Sequence, residues 1–161
     1  MSEEHKEQEP TGKAGAAPPG GPYLQMAFFC EKILREADGV VSFIRQIDRL
    51  TTTASGPSAP DQMPPTNFSA YLAIVLKSGG ARGSHEIKLF RERPSGVRDN
   101  DPVFALRALF EGEERGQGIY GPVTMVFEEE GLYWYDLYVD DTLITRMPFR
   151  VIYQRATART G

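Results

Sequence analysis

Between residues 131 and 153 hydrophobic and polar positions alternate with a period of two, the repeat of a pleated strand rather than of a helix. Tyr133, Tyr135, Leu137 and Val139 share one parity, and Leu132, Trp134, Asp136 and Tyr138 share the other. After Asp140-Asp141-Thr142 the rhythm resumes, with Leu143, Thr145, Met147, Phe149, Val151 and Tyr153 set against Ile144, Arg146, Pro148, Arg150 and Ile152. The pattern predicts a β-hairpin with an acidic turn, its second arm apolar on one face and basic on the other. Such a ribbon is not stable alone and needs a second layer to press against.

The rest of the chain supplies further strands. From Tyr23 to Thr53 the apolar run fits either a helix or strands. Asp38-Gly39, a strong hairpin signal, and the β-branched Val40, Val41, Ile44 and Ile47 favour two long antiparallel strands. Residues 54–67, ASGPSAPDQMPPTN, hold four prolines and predict a loop. Phe68 to Lys77 predicts a central strand apolar on both sides, SGGARGS (78–84) a hairpin turn, and residues 84–91 a strand with one wet face. Residues 103–110 and 119–128 predict two more strands around a charged loop, EGEERGQG (111–118). About eight strands spaced by roughly a dozen residues argue for an all-β fold, an antiparallel β-sandwich.

Length and charge narrow the picture. The 161 residues suit one domain, placed at residues 23–155, with a disordered tail at 1–22 and a frayed end at 156–161. The tail carries four Glu against two Lys, about half of the net charge of -4, which leaves the body too near neutral to draw nucleic acid. No signal peptide and no membrane-spanning run are visible, and the single Cys30 lies in an apolar stretch. These features point to a cytoplasmic protein with no membrane partner.

The segments AFFCEKILREADGVVSFIRQIDRL (27–50), FSAYLAIVLKSG (68–79), GSHEIKLF (83–90) and GLYWYDLYVDDTLITRMPFRV (131–151) resemble the small bacterial proteins of the DUF6941 family. The resemblance implies an immunoglobulin-like β-sandwich with no established activity and no catalytic residues to carry over.

Candidate chemistry is sparse. His85 is the one histidine of the body, and its parity with Ile87 and Leu89 favours a hydrogen-bonded structural role over catalysis. Cys30, His5 and His85 lack zinc-ligand spacing, and the acids at 99–101, 128–130 and 140–141 match no calcium loop, so no metal or cofactor is expected. SGGARGS lacks the lysine and helix of a phosphate-binding loop. The feature that stands out is Trp134 and Tyr138, an indole and a phenol facing away from the apolar side of their strand. Bordered by Arg146 and Arg150, they form the expected binding face of a non-enzymatic accessory module that contacts another protein or a second copy of itself. The competing expectations are a hydrolase built around His85 and a structural subunit of a homo-oligomer or particle. For the face itself, the alternative is cover by the proline-rich loop or by a helix at 23–36.

Overall fold

The computed structural model of the protein describes residues 20–156. Seven strands form it: β1 Tyr23–Arg35, β2 Val41–Ile47, β3 Arg49–Ser55, β4 Thr66–Glu92, β5 Phe104–Phe127, β6 Gly131–Val139 and β7 Thr142–Ala156. No helix occurs among the described residues, so the all-β class holds and the helical reading of the first apolar run does not. Residues 1–19 of the expected tail and 157–161 of the expected frayed end lie outside the described residues. Gly20 to Pro22, also assigned to the tail, run into β1, and the Gly20 carbonyl accepts the Gly80 N–H.

One continuous sheet carries the order β2-β1-β4-β6-β7-β3, with β5 on the other edge of β4. The length of β4 explains this arrangement. Its first part, Tyr71 to Lys77, pairs with β1, and its last part, Ile87 to Glu92, pairs with β6. Meanwhile β5 accompanies both parts from Thr66↔Phe127 to Leu89↔Phe104.

The two expected loops SGGARGS and EGEERGQG are therefore not loops. They lie side by side at the middle of one long hairpin, where the register slips between Lys77 and Gly79 and again before Arg82. Glycine lets both strands turn without ending. Gly79 (φ 55°), Gly83 (φ 91°) and Gly112 (φ 82°) take left-handed backbone that an L side chain resists, and bulges of this kind bend a strand while its pairing continues. Four expected strands thus merge into two.

The opposite correction applies to the second arm of the first hairpin. It breaks at Asp48, and the seven residues that follow leave β1 to lie parallel to β7, in register from Arg49↔Arg150 to Ser55↔Ala156. The sheet is mixed rather than antiparallel throughout. Ala54, Ser55, Thr66 and Asn67, assigned to the proline-rich loop, belong to strands. The remaining loop is anchored: Met63 is buried in the core and the Tyr153 hydroxyl donates to the Pro60 carbonyl at 2.7 Å.

The bend brings the two ends of the sheet face to face. Phe29 of β1 meets Tyr135 of β6 (ring centroids 4.9 Å) and Phe149 of β7 (5.7 Å), strands with which β1 shares no ladder. Phe149 also stacks on Phe127 at 5.3 Å, and Phe127 meets Tyr133 edge to face. The parity assigned to the closing hairpin is the observed one along β6 and from Met147 to Val151, where Tyr133, Tyr135, Leu137, Val139, Met147, Phe149 and Val151 are all buried, but it fails beside the turn, where the register slips at Tyr138, Leu143 is exposed and Ile144 packs against the core. Cys30 is also buried, and burial raises its thiol above the ordinary cysteine value.

Candidate functional site

Alternation along β6 sends the other parity outward, and the register places the four candidate residues on that side. Trp134 lies across from Pro148, Asp136 from Arg146 and Leu132 from Arg150, while on the β4 side Phe90 faces Asp136 and Glu92 faces Trp134. Trp134 and Tyr138 are half-buried, Arg146 and Arg150 exposed. No helix among the described residues covers the rings, and the proline-rich loop is bonded to Tyr153 and Arg155 of β7.

Their partial burial comes from arginines. The Arg146 guanidinium lies over the indole of Trp134, 5.1 Å from the ring, and is held there by Asp136 (Nε to Oδ1, 2.7 Å) and Glu92 (Nη2 to Oε2, 2.9 Å). Asp136 is nearly buried, so its charge requires this partner. Arg98, from the turn between β4 and β5, stacks 3.9 Å over Phe90 and 4.8 Å over Tyr138, and its Nη1 donates to the Tyr138 hydroxyl at 3.2 Å. Phe90 and Tyr138 meet edge to face. Cation–π stacking of this kind contributes about 0.5–1 kcal/mol per exposed pair and fixes the planes of the rings. Sequence reading missed Phe90, Glu92 and Arg98. The alternation of 84–91 sets Glu86, Lys88 and Glu92 on the wet side, and Phe90 shares their parity, but which strand lies beside β6 is not encoded in a period of two.

Beside Arg98 opens a groove of about 720 Å³ between the β4–β5 turn and Glu128. Two of its acids are engaged, Asp99 by Arg91 (2.6 Å) and Arg93 (3.0 Å) and Glu128 by Arg93 (2.7 Å), and Asp101 and Glu129 also line it. Among the described residues no three His, Cys, Asp or Glu side chains are grouped to hold a metal ion.

His85 borders a smaller recess of about 220 Å³ with Gly21, Pro22, Asp140 and Ile144. Its Nδ1–H donates to Asp140 Oδ2 (2.8 Å) and its Nε2–H to the Arg82 carbonyl (3.1 Å). Both partners accept, so the geometry suits the doubly protonated imidazolium and leaves no ring nitrogen free to take a proton from a substrate. The Asp140 carboxylate, with the Arg82 carbonyl, raises the histidine above its ordinary 6.5. The Glu86 N–H, followed by His85, lowers Asp140 below 3.8.

The pH dependence follows from these directions. The histidine contribution is complete below about 6.5 and is lost as pH rises through the raised native value, while that of Asp140 is lost only when pH falls through its depressed one. Because Asp140 is half exposed, the pair stabilises by only about 1 kcal/mol. His85→Gln is therefore expected to lower urea-unfolding stability by that amount at pH 5.5 to 6 and by less as pH rises toward 9. A gap between the two proteins that does not change with pH would show that the native ring is neutral.

No protein-family model matches the chain, and no curated protein matches it. Among solved structures it is similar to a β-glucosidase from Listeria innocua, with TM-score 0.44 and 8% identity over 69% of this chain and 15% of that one. The same enzyme in complex with isofagomine gives TM-score 0.43 and 8% identity over 86% and 17%. The chain spans less than a fifth of the length of these relatives, and so distant a likeness carries no activity over to it.

Proposed function

We propose that this chain is a non-enzymatic binding module whose outward β6–β7 face, with Trp134 and Tyr138 as anchors and Arg146 and Arg150 at its border, docks another protein in the cytoplasm. The observation that carries the reading is that two large rings stand on the outer side of the sheet with arginines from the same sheet and an adjoining turn as their cover. Binding energy at protein interfaces concentrates in Trp, Tyr and Arg held rigid before contact, and here ion pairs and stacking supply that rigidity. The sheet folded across Phe29 and Phe149 supports an immunoglobulin-like sandwich, and the resemblance to the DUF6941 family belongs to the same proposal.

Replacing Trp134 and Tyr138 together by Ala is expected to leave the β-sheet circular dichroism intact and to abolish capture of partners by the immobilised protein. Tyr71→Ala, on a different part of the sheet, is expected to leave capture unchanged. Equal capture by the wild type and the double variant would remove this face from consideration.

A further inference from the structure

We infer that β3 is a self-pairing edge: two copies of the chain join antiparallel along Arg49–Ser55, about a two-fold axis at Thr52, into one continuous sheet. The inference goes beyond the docking face and does not depend on it.

The first ground is an open ladder. β3 ends the sheet order, and among the described residues β7 is the one strand beside it. The Arg150 N–H donates to the Asp48 carbonyl at 2.9 Å, so Asp48 turns its backbone toward β7, and by alternation Leu50, Thr52 and Ala54 do the same. Arg49, Thr51, Thr53 and Ser55 therefore point their N–H and C=O groups away from the sheet, where among the described residues no strand meets them. The loop that follows Ser55 is bonded to Tyr153 and Arg155 of β7, on the opposite side of β3 from this edge. The other two edges of the sheet are guarded. β2 is interrupted by Arg45 in left-handed backbone (φ 50°). On the outer side of β5, Pro122 has no N–H to offer, and the Leu109 and Val126 carbonyls are taken by the side chains of Gln117 (2.6 Å) and Arg91 (2.8 Å). From Leu50 to Ser55, β3 has no charge, proline or register slip, the features with which sheets ordinarily protect an edge.

The second ground is that the edge complements itself. With Thr52 opposite Thr52 of the second copy, Thr51 faces Thr53, Leu50 faces Ala54 and Arg49 faces Ser55. Both members of each pair share one environment, since Arg49, Thr51, Thr53 and Ser55 are exposed while Leu50, Thr52 and Ala54 are half-buried, with Leu50 packed against the core. Threonine hydroxyls thus meet on the wet face, and the apolar pair continues the inner one. No like charges oppose each other, and Arg49 keeps Asp48 as its partner at 3.5 Å. The outward groups form about eight N–H···O bonds, two for each hydrogen-bonded pair. A two-fold contact closes on itself, so assembly stops at the dimer. Because the axis runs normal to the layer, the outward faces carrying Trp134 lie on the same side of the joined sheet.

Sedimentation velocity on the full chain from about 1 μM to about 1 mM is expected to show a monomer that passes to twice its mass as concentration rises, as a small, open interface does. Thr51→Lys with Thr53→Lys sets lysine against lysine across the axis, at positions exposed in the monomer. It is expected to weaken dimerisation by about tenfold or more while the circular dichroism stays unchanged. Thr51→Lys with Thr53→Glu sets each lysine against a glutamate instead, and is expected to dimerise within about threefold of wild type. Thr53→Pro removes an outward N–H without touching the β7 ladder; it is expected to stay monomeric and serves if the lysine variant does not fold. A wild type that stays monomeric at the highest concentration overturns the inference. So does equal dimerisation of wild type and the Lys–Lys variant, because the contact then lies elsewhere. A Lys–Glu variant as weak as the Lys–Lys one also overturns it, since the strands then do not meet about Thr52.

Discussion

Phe149→Ala is expected to lower the unfolding free energy by about 3–5 kcal/mol, the range for emptying a buried aromatic site. Phe149 is fully buried and touches rings from every direction that the bent sheet supplies: Phe29 of β1, Phe68 of β4, Phe127 of β5 and Tyr135 of β6. Its removal opens a cavity between the two ends of the sheet, where the backbone ladder provides no alternative link. Domains of this size hold roughly 5–15 kcal/mol in total, so the variant is expected to be near the edge of folding. Phe149→Leu, which keeps most of the volume, should cost under about 2 kcal/mol. Urea unfolding followed by circular dichroism measures both. A loss below about 1 kcal/mol for the alanine variant would mean that the ends of the sheet do not meet across this ring.

The contrast with the sequence reading is sharpest at the same place. Alternation alone identified Phe149, Tyr133 and Tyr135 as inward, because a strand that is wet on one side must repeat every two residues. What a period of two lacks is direction and length. It did not reveal that β3 runs parallel to β7, since Leu50, Thr52 and Ala54 alternate with Thr51, Thr53 and Ser55 equally well for either orientation. Nor did it reveal that β4 and β5 continue through their glycine runs. Glycine ends strands in most hairpins, and only a partner strand that bends at the same point keeps the ladder closed.

The candidate face shows the same division. The outward parity of Trp134 and Tyr138 was legible, and Arg146 and Arg150 were correctly set on that side. The partners missed in the sequence, Phe90, Glu92 and Arg98, come from β4 and from the turn after it, and the pairing of β4 with β6 is a long-range fact rather than a local pattern. As a result the arginines have a double role. Arg146 neutralises Asp136 and covers Trp134 with the same guanidinium, so a partner that displaces it from the ring must leave its two ion pairs intact or replace them. A neutral substitution at Arg146 therefore exposes an indole and strands a carboxylate together, which is why the docking test is better made at the rings than at the arginines.

Gly79→Ala is expected to destabilise by about 2–4 kcal/mol, more than any other glycine-to-alanine change at the bend. Two costs combine. Its φ of 55° lies in the left-handed region, which costs an alanine roughly 1–2 kcal/mol, and the new methyl group would collide with the Tyr23 ring and the Gly20 carbonyl. Two neighbours separate these terms. Gly83 shares the left-handed backbone (φ 91°) but has nothing within 4 Å of an added methyl, so Gly83→Ala should cost only the backbone part. Gly121 has neither the backbone demand nor a neighbour within that distance, and Gly121→Ala should fall within about 0.5 kcal/mol of wild type or slightly above it, because alanine restricts the unfolded chain. The expected order of loss in urea midpoints is Gly79 over Gly83 over Gly121. Equal losses at Gly79 and Gly83 would show that the contact with Tyr23 is slack. A Gly79 variant no weaker than the Gly121 one would mean that the long hairpin does not turn at this residue, and the packing of Phe29 against Phe149, which depends on that turn, would need another cause.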